Sequence, residues 1–311
     1  MTETVKRERI CLKKKYKDLI FYILLIAIPL AQFCIFYIYV NFNSVLLAFK
    51  RFDYDTGLYR YVGVENFARV FRDFASSELV SASVKNSLIA YAVGLLFGTG
   101  LALLFSYYIY KKSFGHKFFQ VMLFLPSIVS SVAMVMMFKY FTDLALPKVI
   151  NKIFPGSEFI GFLSEENTRF GTLLFFCIWA GFGSNVLLYV GAMNGINDSI
   201  VEAAHLDGCG TMREFISITF PMIFPTFTTL FIVNIAGIAT NQINAYLFYG
   251  LDVPPNCYTL GFYMFKDLVT GTAGLSEYPY LSAMGLVMTV VVTPIVLVVR
   301  KLLIKFGPSA E

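Results

Sequence analysis

Polar and apolar positions separate into long blocks: six runs of almost wholly apolar residues, at about 19–41, 86–110, 118–142, 170–193, 218–242 and 279–299, lie between shorter charged segments. A helix rising ~1.5 Å per residue needs about 20 apolar residues to cross ~30 Å of hydrocarbon, and each run meets that length. Lys139 is the only charged side chain inside them. Segments of about ten alternating residues, the mark of a membrane barrel, are absent, so the backbone bonds of these spans must close within helices. The predicted fold class is all-α, a polytopic membrane protein with six transmembrane helices. The pattern divides it into a basic tail (1–18), a first span (19–41), an outer segment (42–85), a five-span core (86–303) that includes a polar loop at 194–217, and a short tail (304–311).

Composition agrees with that division. Apolar residues make up 57% of the chain and charged residues 14%, against roughly 25% charged in soluble domains. The mean hydropathy is +0.68. Charge placement adds direction. Lys6, Arg7, Arg9, Lys13, Lys14, Lys15 and Lys17 precede the first span, Lys111, Lys112 and Lys117 follow the second, and Arg300, Lys301 and Lys305 follow the sixth. The positive-inside bias therefore puts both termini and the loop 194–217 in the cytoplasm. The first run exceeds the 7–15 residues of a signal-peptide core, so it reads as an uncleaved anchor. A net charge of +5 with no basic face gives no nucleic-acid site.

Several chemistries find no support. Cys11, Cys34, Cys177, Cys209 and Cys257 show no paired spacing for a disulfide framework or zinc, and His116 and His205 are far apart, so no metal site is predicted. No GxxxxGK followed by Ser or Thr exists to cradle ATP phosphates. No carboxylate lies inside a span to carry protons or bind sodium, and clustered Asp, Glu or His in the spans, expected of an intramembrane enzyme or ion-coupled carrier, are missing. No internal repeat is evident.

The polar loop is the most specific feature. Asn197 or Asp198 can cap a short helix through Ile200, Val201, Glu202, Ala203 and Ala204, and Gly208 sits where a helix stops. Thr211 and Glu214 fit a capping box for a second helix, whose apolar face holds Phe215, Ile216 and Ile218 before Pro221 opens the fifth span. The stretch EAAHLDGCGTMREFISITFP closely resembles the EAA loop of the membrane-spanning subunits of bacterial binding-protein-dependent ABC importers. Phe220 and Cys209 stand where that family usually has Leu and Ala. The resemblance implies that the short helix docks onto an ATPase, with Glu202, Ala203, Ala204, Asp207, Gly208, Phe215, Ile218 and Pro221 in the coupling.

Looser matches extend over nearly the whole chain. Asn43 to Phe49, Val62 to Phe67, Lys85-Asn86-Ser87, Leu125-Pro126, and Ile178, Trp179 and Gly181 are similar to sugar permeases of the maltose type. That pattern implies a pathway lined by Ser127, Ser131, Trp179, Gly181, Ser184, Asn234, Ile238 and Asn241. Cys177 and Ser184 replace an amide and an aromatic of the maltose pattern, which puts maltose itself in doubt. Asn234 and Asn241, seven apart, are expected two turns along one helix face with Ile238 between them. Gly94 and Gly98 form a small-xxx-small pattern expected to pack closely on a neighbouring helix. Gln242 and Asn244 are expected at the outer exit.

Together these imply the permease subunit of an ATP-driven importer, forming half the pathway for a neutral carbohydrate. The alternative cargo is a non-sugar solute such as glycerol phosphate. The implied partners are a second homologous permease, two ABC ATPase subunits, an extracytoplasmic solute-binding protein, the neutral sugar and the lipid bilayer. No cofactor is expected in this chain, because ATP and Mg belong to the ATPase.

Overall fold

The structure is a computed structural model that describes residues 2–156, 158–269 and 274–308, with side chains described from residue 16 onward. The basic side chains of Lys6 to Lys15, Cys11, and the last three residues of the tail 304–311 thus lie outside the described residues. The chain divides into two compact units, Met1–Val70 with Gly274–Leu286, and Phe71–Ala273 with Val287–Glu311.

In chain order come α1 (Tyr16–Leu47), helical from Thr2, the hairpin β1 (Lys50–Asp53) and β2 (Leu58–Tyr61), and α2 (Glu65–Ser76). Then follow α3 (Glu78–Tyr110), α4 (His116–Ile128), α5 (Ser131–Ile153), α6 (Glu166–Met193), α7 (Asp198–Leu206) and α8 (Thr211–Ala236). The short α9 (Ala245–Tyr249) and α10 (Leu260–Val269) precede α11 (Glu277–Phe306). Five of these, α1, α3, α6, α8 and α11, are long and apolar enough to cross a membrane, and α4 with α5 makes a sixth if a bent pair counts as one span.

Three departures from the sequence reading have local causes. The outer segment is not purely helical: β1 and β2 pair antiparallel from Lys50–Tyr61 to Asp53–Leu58. Asp53 Oδ1 accepts from the Asp55 N–H at 3.0 Å and Gly57 takes φ +67°, which closes the hairpin. The third predicted span is not one rod, since α4 and α5 meet at 103°. Pro126 cannot donate to the carbonyl one turn back, and three residues later Val129 and Ser130 go extended, with the Ser130 carbonyl accepting from Met134 at 3.0 Å to restart the helix. The fifth predicted span, α8, stops at Ala236 with Gly237 as its cap, and Ile243 and Asn244 are left-handed at φ 45° and 54°, so Asn241 does not share a helix face with Asn234.

Within the first unit, Asn66 explains the segment Val62 to Phe67. Its amide donates to the carbonyls of Ala48 (2.8 Å) and Lys50 (2.7 Å), fastening the start of α2 to the end of α1. Phe49 packs on Phe67 at 5.1 Å, and the Arg69 guanidinium lies 4.2 Å from the Tyr280 ring centre.

The second unit has two apolar cores. One gathers Leu173, Phe176, Phe248, Tyr258 and Phe262, the other Ala102, Ile109, Val186, Tyr189, Met193 and Ile223. Helices α4 and α6 cross closely at Gly183, where an added Cβ would lie 1.8 Å from the Leu123 carbonyl oxygen. Around the first core, Asn86 donates to the carbonyls of Asn256 and Tyr258, both at 2.9 Å, and the Ser87 hydroxyl accepts from the Leu260 N–H at 2.8 Å. Lys139, the intramembrane cation, donates to the Phe248 carbonyl at 3.0 Å, the favourable place for a cation at the end of α9.

Candidate functional site

The loop between α6 and α8 is built by short-range rules. The Asn197 side chain caps α7 by accepting from the Ser199 N–H at 3.1 Å. At the other end the Cys209 N–H reaches back to Ala204 (2.9 Å) and the Gly208 N–H to His205 (3.0 Å), the paired bonds of a Schellman turn, and Gly208 takes the required φ of +76°. Glu202, Ala203, Asp207 and Gly208 are exposed, Ala204 is half-buried, and Leu206 is 89% exposed. On α8, Phe215, Ile218 and Pro221 are half-buried, and Phe215 lies 4.7 Å from the Tyr107 ring.

The capping box expected of Thr211 and Glu214 does not form. Gly210 is the cap of α8, and Glu214 points inward with its side chain 0% exposed. Lys111 Nζ donates to both of its carboxylate oxygens, at 3.0 and 2.9 Å, and His205 Nε2 lies 2.8 Å from Oε2. Tyr107 adds a hydroxyl bond to the Thr211 carbonyl at 2.8 Å. Burying a carboxylate is tolerable only with such partners, and they hold α7, the start of α8 and the end of α3 together. Sequence reading gave Glu214 to a cap and Lys111 to the topology signal, and passed over Tyr107 and any role for His205 beyond excluding a metal site.

The second feature is a cavity of ≈420 Å³ among α3, α6 and the end of α8. Its wall includes Gly181, Asn234, Ile238 and Asn241 from the expected set. A smaller neighbour of ≈240 Å³ takes in Ser127, Ser131 and again Gly181, beside the break between α4 and α5. Trp179 and Ser184 line neither: Trp179 stacks near Phe138 at 6.2 Å and Ser184 is exposed. Asn244, expected at an exit, lines the smaller cavity and donates toward Cys177 Sγ at 3.4 Å.

The cavity also holds residues that sequence reading passed over or assigned elsewhere. Gly94 and Gly98 belong to its wall, and an added Cβ at either would meet nothing within 4 Å, so within this chain they leave space rather than seat a helix. They lie in a wide π turn, Gly94–Thr99. Such turns in helices often mark functional places. Thr99 and Asn185 face the same space, and neither side chain bonds another described residue. No side chain in the lining carries a charge. The arrangement suits an uncharged solute able to give and accept hydrogen bonds, in a partly apolar slot.

Over 288 residues the chain is 25% identical to the multiple sugar-binding transport system permease protein MsmF of Streptococcus mutans, covering 90% of this chain and 93% of that one. It is 25% identical over 311 residues to the polygalacturonan/rhamnogalacturonan transport system permease protein YteP of Bacillus subtilis, covering 97% and 92%. A shorter likeness, 25% over 180 residues, covering 56% of this chain and 58% of that one, relates it to the sn-glycerol-3-phosphate transport system permease protein UgpA of Yersinia pestis. A crystal structure of a bacterial ABC transporter involved in the import of the acidic polysaccharide alginate contains a chain with the same fold, at a TM-score of 0.76 and 22% identity over 96% of this chain and 99% of that one. Residues 94–305, containing the loop and most of the cavity wall, match the family described as binding-protein-dependent transport system inner membrane component, and the chain belongs to that family.

Proposed function

We propose that this chain forms half of the translocation pathway of an ATP-driven importer for a neutral carbohydrate, delivered by an extracytoplasmic solute-binding protein and passed between this chain and a second permease. The observation that carries the reading is the pairing of an uncharged, hydrogen-bonding cavity with a rigid protruding helix in one unit. The cavity supports a hydroxyl-rich cargo, because an anion such as glycerol phosphate would want Arg, Lys or a free helix N-terminus in its path. The relatives that handle multiple sugars and polysaccharides support the carbohydrate class.

Loop 194–217 would face the cytoplasm and offer α7 to an ATPase. Its exposed face, Glu202, Ala203 and Leu206, has the character of a helix seated in a groove, with apolar anchors for affinity and charge for orientation. ATP and Mg would bind the ATPase. Closure of two ATPases would move α7 on each permease and open the cavity toward the binding protein.

The test is uptake of labelled neutral and acidic oligosaccharides by cells carrying the intact transporter, beside Glu202→Lys and Gly208→Asp variants of matched membrane abundance. The reading expects ATP-dependent uptake of a neutral sugar, lost in both variants together with ATPase co-purification. Undiminished uptake in both variants, or uptake confined to acidic sugars, would refute it.

A further inference from the structure

We infer that Glu214, Lys111 and Tyr107 are positioning residues that clamp the docking helix α7 to α3, so that displacement of α7 reaches the wall of the cavity through α3. The inference rests on the proposal that an ATPase docks at α7.

Three facts converge on the clamp. The Glu214 carboxylate is fully buried yet joins three elements: it sits in the first turn of α8, His205 comes from α7, and Lys111 directly follows α3. The Lys111 ammonium and the His205 ring occupy both carboxylate oxygens at 2.8–3.0 Å. Tyr107, one turn before Lys111, makes a second attachment through its hydroxyl to Thr211 and its ring to Phe215. An apolar contact can slide, whereas drawing the buried Glu214 carboxylate away from the Lys111 ammonium leaves a buried charge unpaired, so the clamp resists separation.

The other end of α3 gives the clamp its purpose. Gly98 and Gly94 lie 12 and 16 residues before Tyr110, so at ~1.5 Å per residue a shift at the clamp acts on the cavity wall about 18–24 Å away. The π turn Gly94–Thr99 is where the helix is widest and least regular, which makes it the place where α3 yields. Glu202 and Leu206 are exposed on α7 and take no part in the bonds of the clamp, so docking and clamping use different side chains of the same helix.

The experiment needs no knowledge of the cargo. A thiol is introduced by Gly98→Cys, in a background whose native cysteines are replaced, and the ATPase-bearing complex is reconstituted in lipid vesicles. The rate of maleimide labelling is read with and without ATP, Mg and vanadate. With Glu214 intact the nucleotide is expected to change the rate by about five-fold or more. With Glu214→Gln the ATPase still co-purifies and hydrolyses ATP, but the change falls below about two-fold, and Tyr107→Phe lies between. The exchange Lys111→Glu with Glu214→Lys restores the response. A full response in Glu214→Gln overturns the inference, and so does loss of the ATPase from that variant, which would make Glu214 a folding residue of the loop. The conservative Tyr107→Phe keeps the test decisive should the double exchange misfold: an undiminished response there also counts against the clamp. Failure of the docking proposal shows separately, as a complex that keeps its ATPase when Glu202→Lys is introduced.

Discussion

Gly183 and Gly98 should respond to the same change with opposite signs. In Gly183→Ala the new methyl would sit 1.8 Å from the Leu123 carbonyl oxygen and 2.7 Å from its carbon, both backbone atoms that cannot rotate away. Ordinary contact begins near 3.4 Å, so α4 and α6 must part by about 1.6 Å (3.4 − 1.8), beyond the ~1 Å gap that already forfeits up to half of a dispersion contact. Overpacking of this kind costs about 3 kcal/mol or more, which for a chain of 311 residues lowers the melting temperature by roughly 5 °C. Gly98→Ala adds a methyl to open space and removes a glycine from a helix, a change worth up to ~1 kcal/mol in favour of the fold. The assay is thermal unfolding of the purified chain in detergent, followed by a thiol-reactive dye that gains signal as buried Cys257 becomes accessible. A Gly183→Ala melting temperature within about 1 °C of the parent would refute the crossing argument. A Gly98→Ala variant that melts as low as Gly183→Ala would return the α3 glycines to the packing role that their spacing suggested.

Two further outcomes follow from the same coordinates. Burial pushes the Cys257 thiol up to about 11, with the nearby Arg169 charge pulling only part of the way back, and the side chain is 0% exposed. At pH 8 about 0.1% of it is thiolate, so maleimide should leave Cys257 unmodified in native membranes at pH 7–8 and label it after denaturation; labelling in native membranes at the rate of a free thiol would contradict this. Asn185→Leu should raise the half-saturating solute concentration about five-fold with matched abundance and unchanged ATP hydrolysis, as expected for a lost neutral hydrogen bond; unchanged half-saturation would remove Asn185 from the pathway.

What the sequence could say follows the range of the force involved. Span positions come from the cost of unsatisfied backbone in lipid, a property of each run alone, and the apolar blocks locate them. Asn197 and Gly208 were legible for a related reason: a cap and a left-handed turn are settled within four residues. Glu214 was not legible. A capping box three residues after Thr211 is a local possibility, but Lys111, 103 residues away, offers a stronger bond to a buried carboxylate, and the long-range pair wins. The glycines failed in the same way, because a four-residue spacing puts Gly94 and Gly98 on one face without saying what that face meets. Gly183, the residue at the true crossing, has no spacing partner to announce it. Asn234 and Asn241 reached one cavity by a route that periodicity could not foresee, since the helix ends between them and a turn brings Asn241 back to the wall.

Polar side chains inside the spans sort by the partners they find. Ser106 donates to the Ala102 carbonyl and also lies 3.1 Å from that of Val186, Thr172 donates to Thr168, Ser127 to Phe124, and Asn234 to Leu230. In a helix surrounded by lipid, a hydroxyl or amide without water turns back onto its own preceding carbonyl, so such a bond neither assigns nor denies a residue a place in the pathway. Thr99 and Asn185 do not follow that habit, although both sit on helices with the carbonyls available. They lie beside the open space at a glycine-walled π turn, and neither side chain bonds another described residue. Unspent hydrogen-bonding capacity beside open space thus sets Thr99 and Asn185 apart from the other polar residues of the spans, and hydrophobicity, which finds the spans, is blind to it.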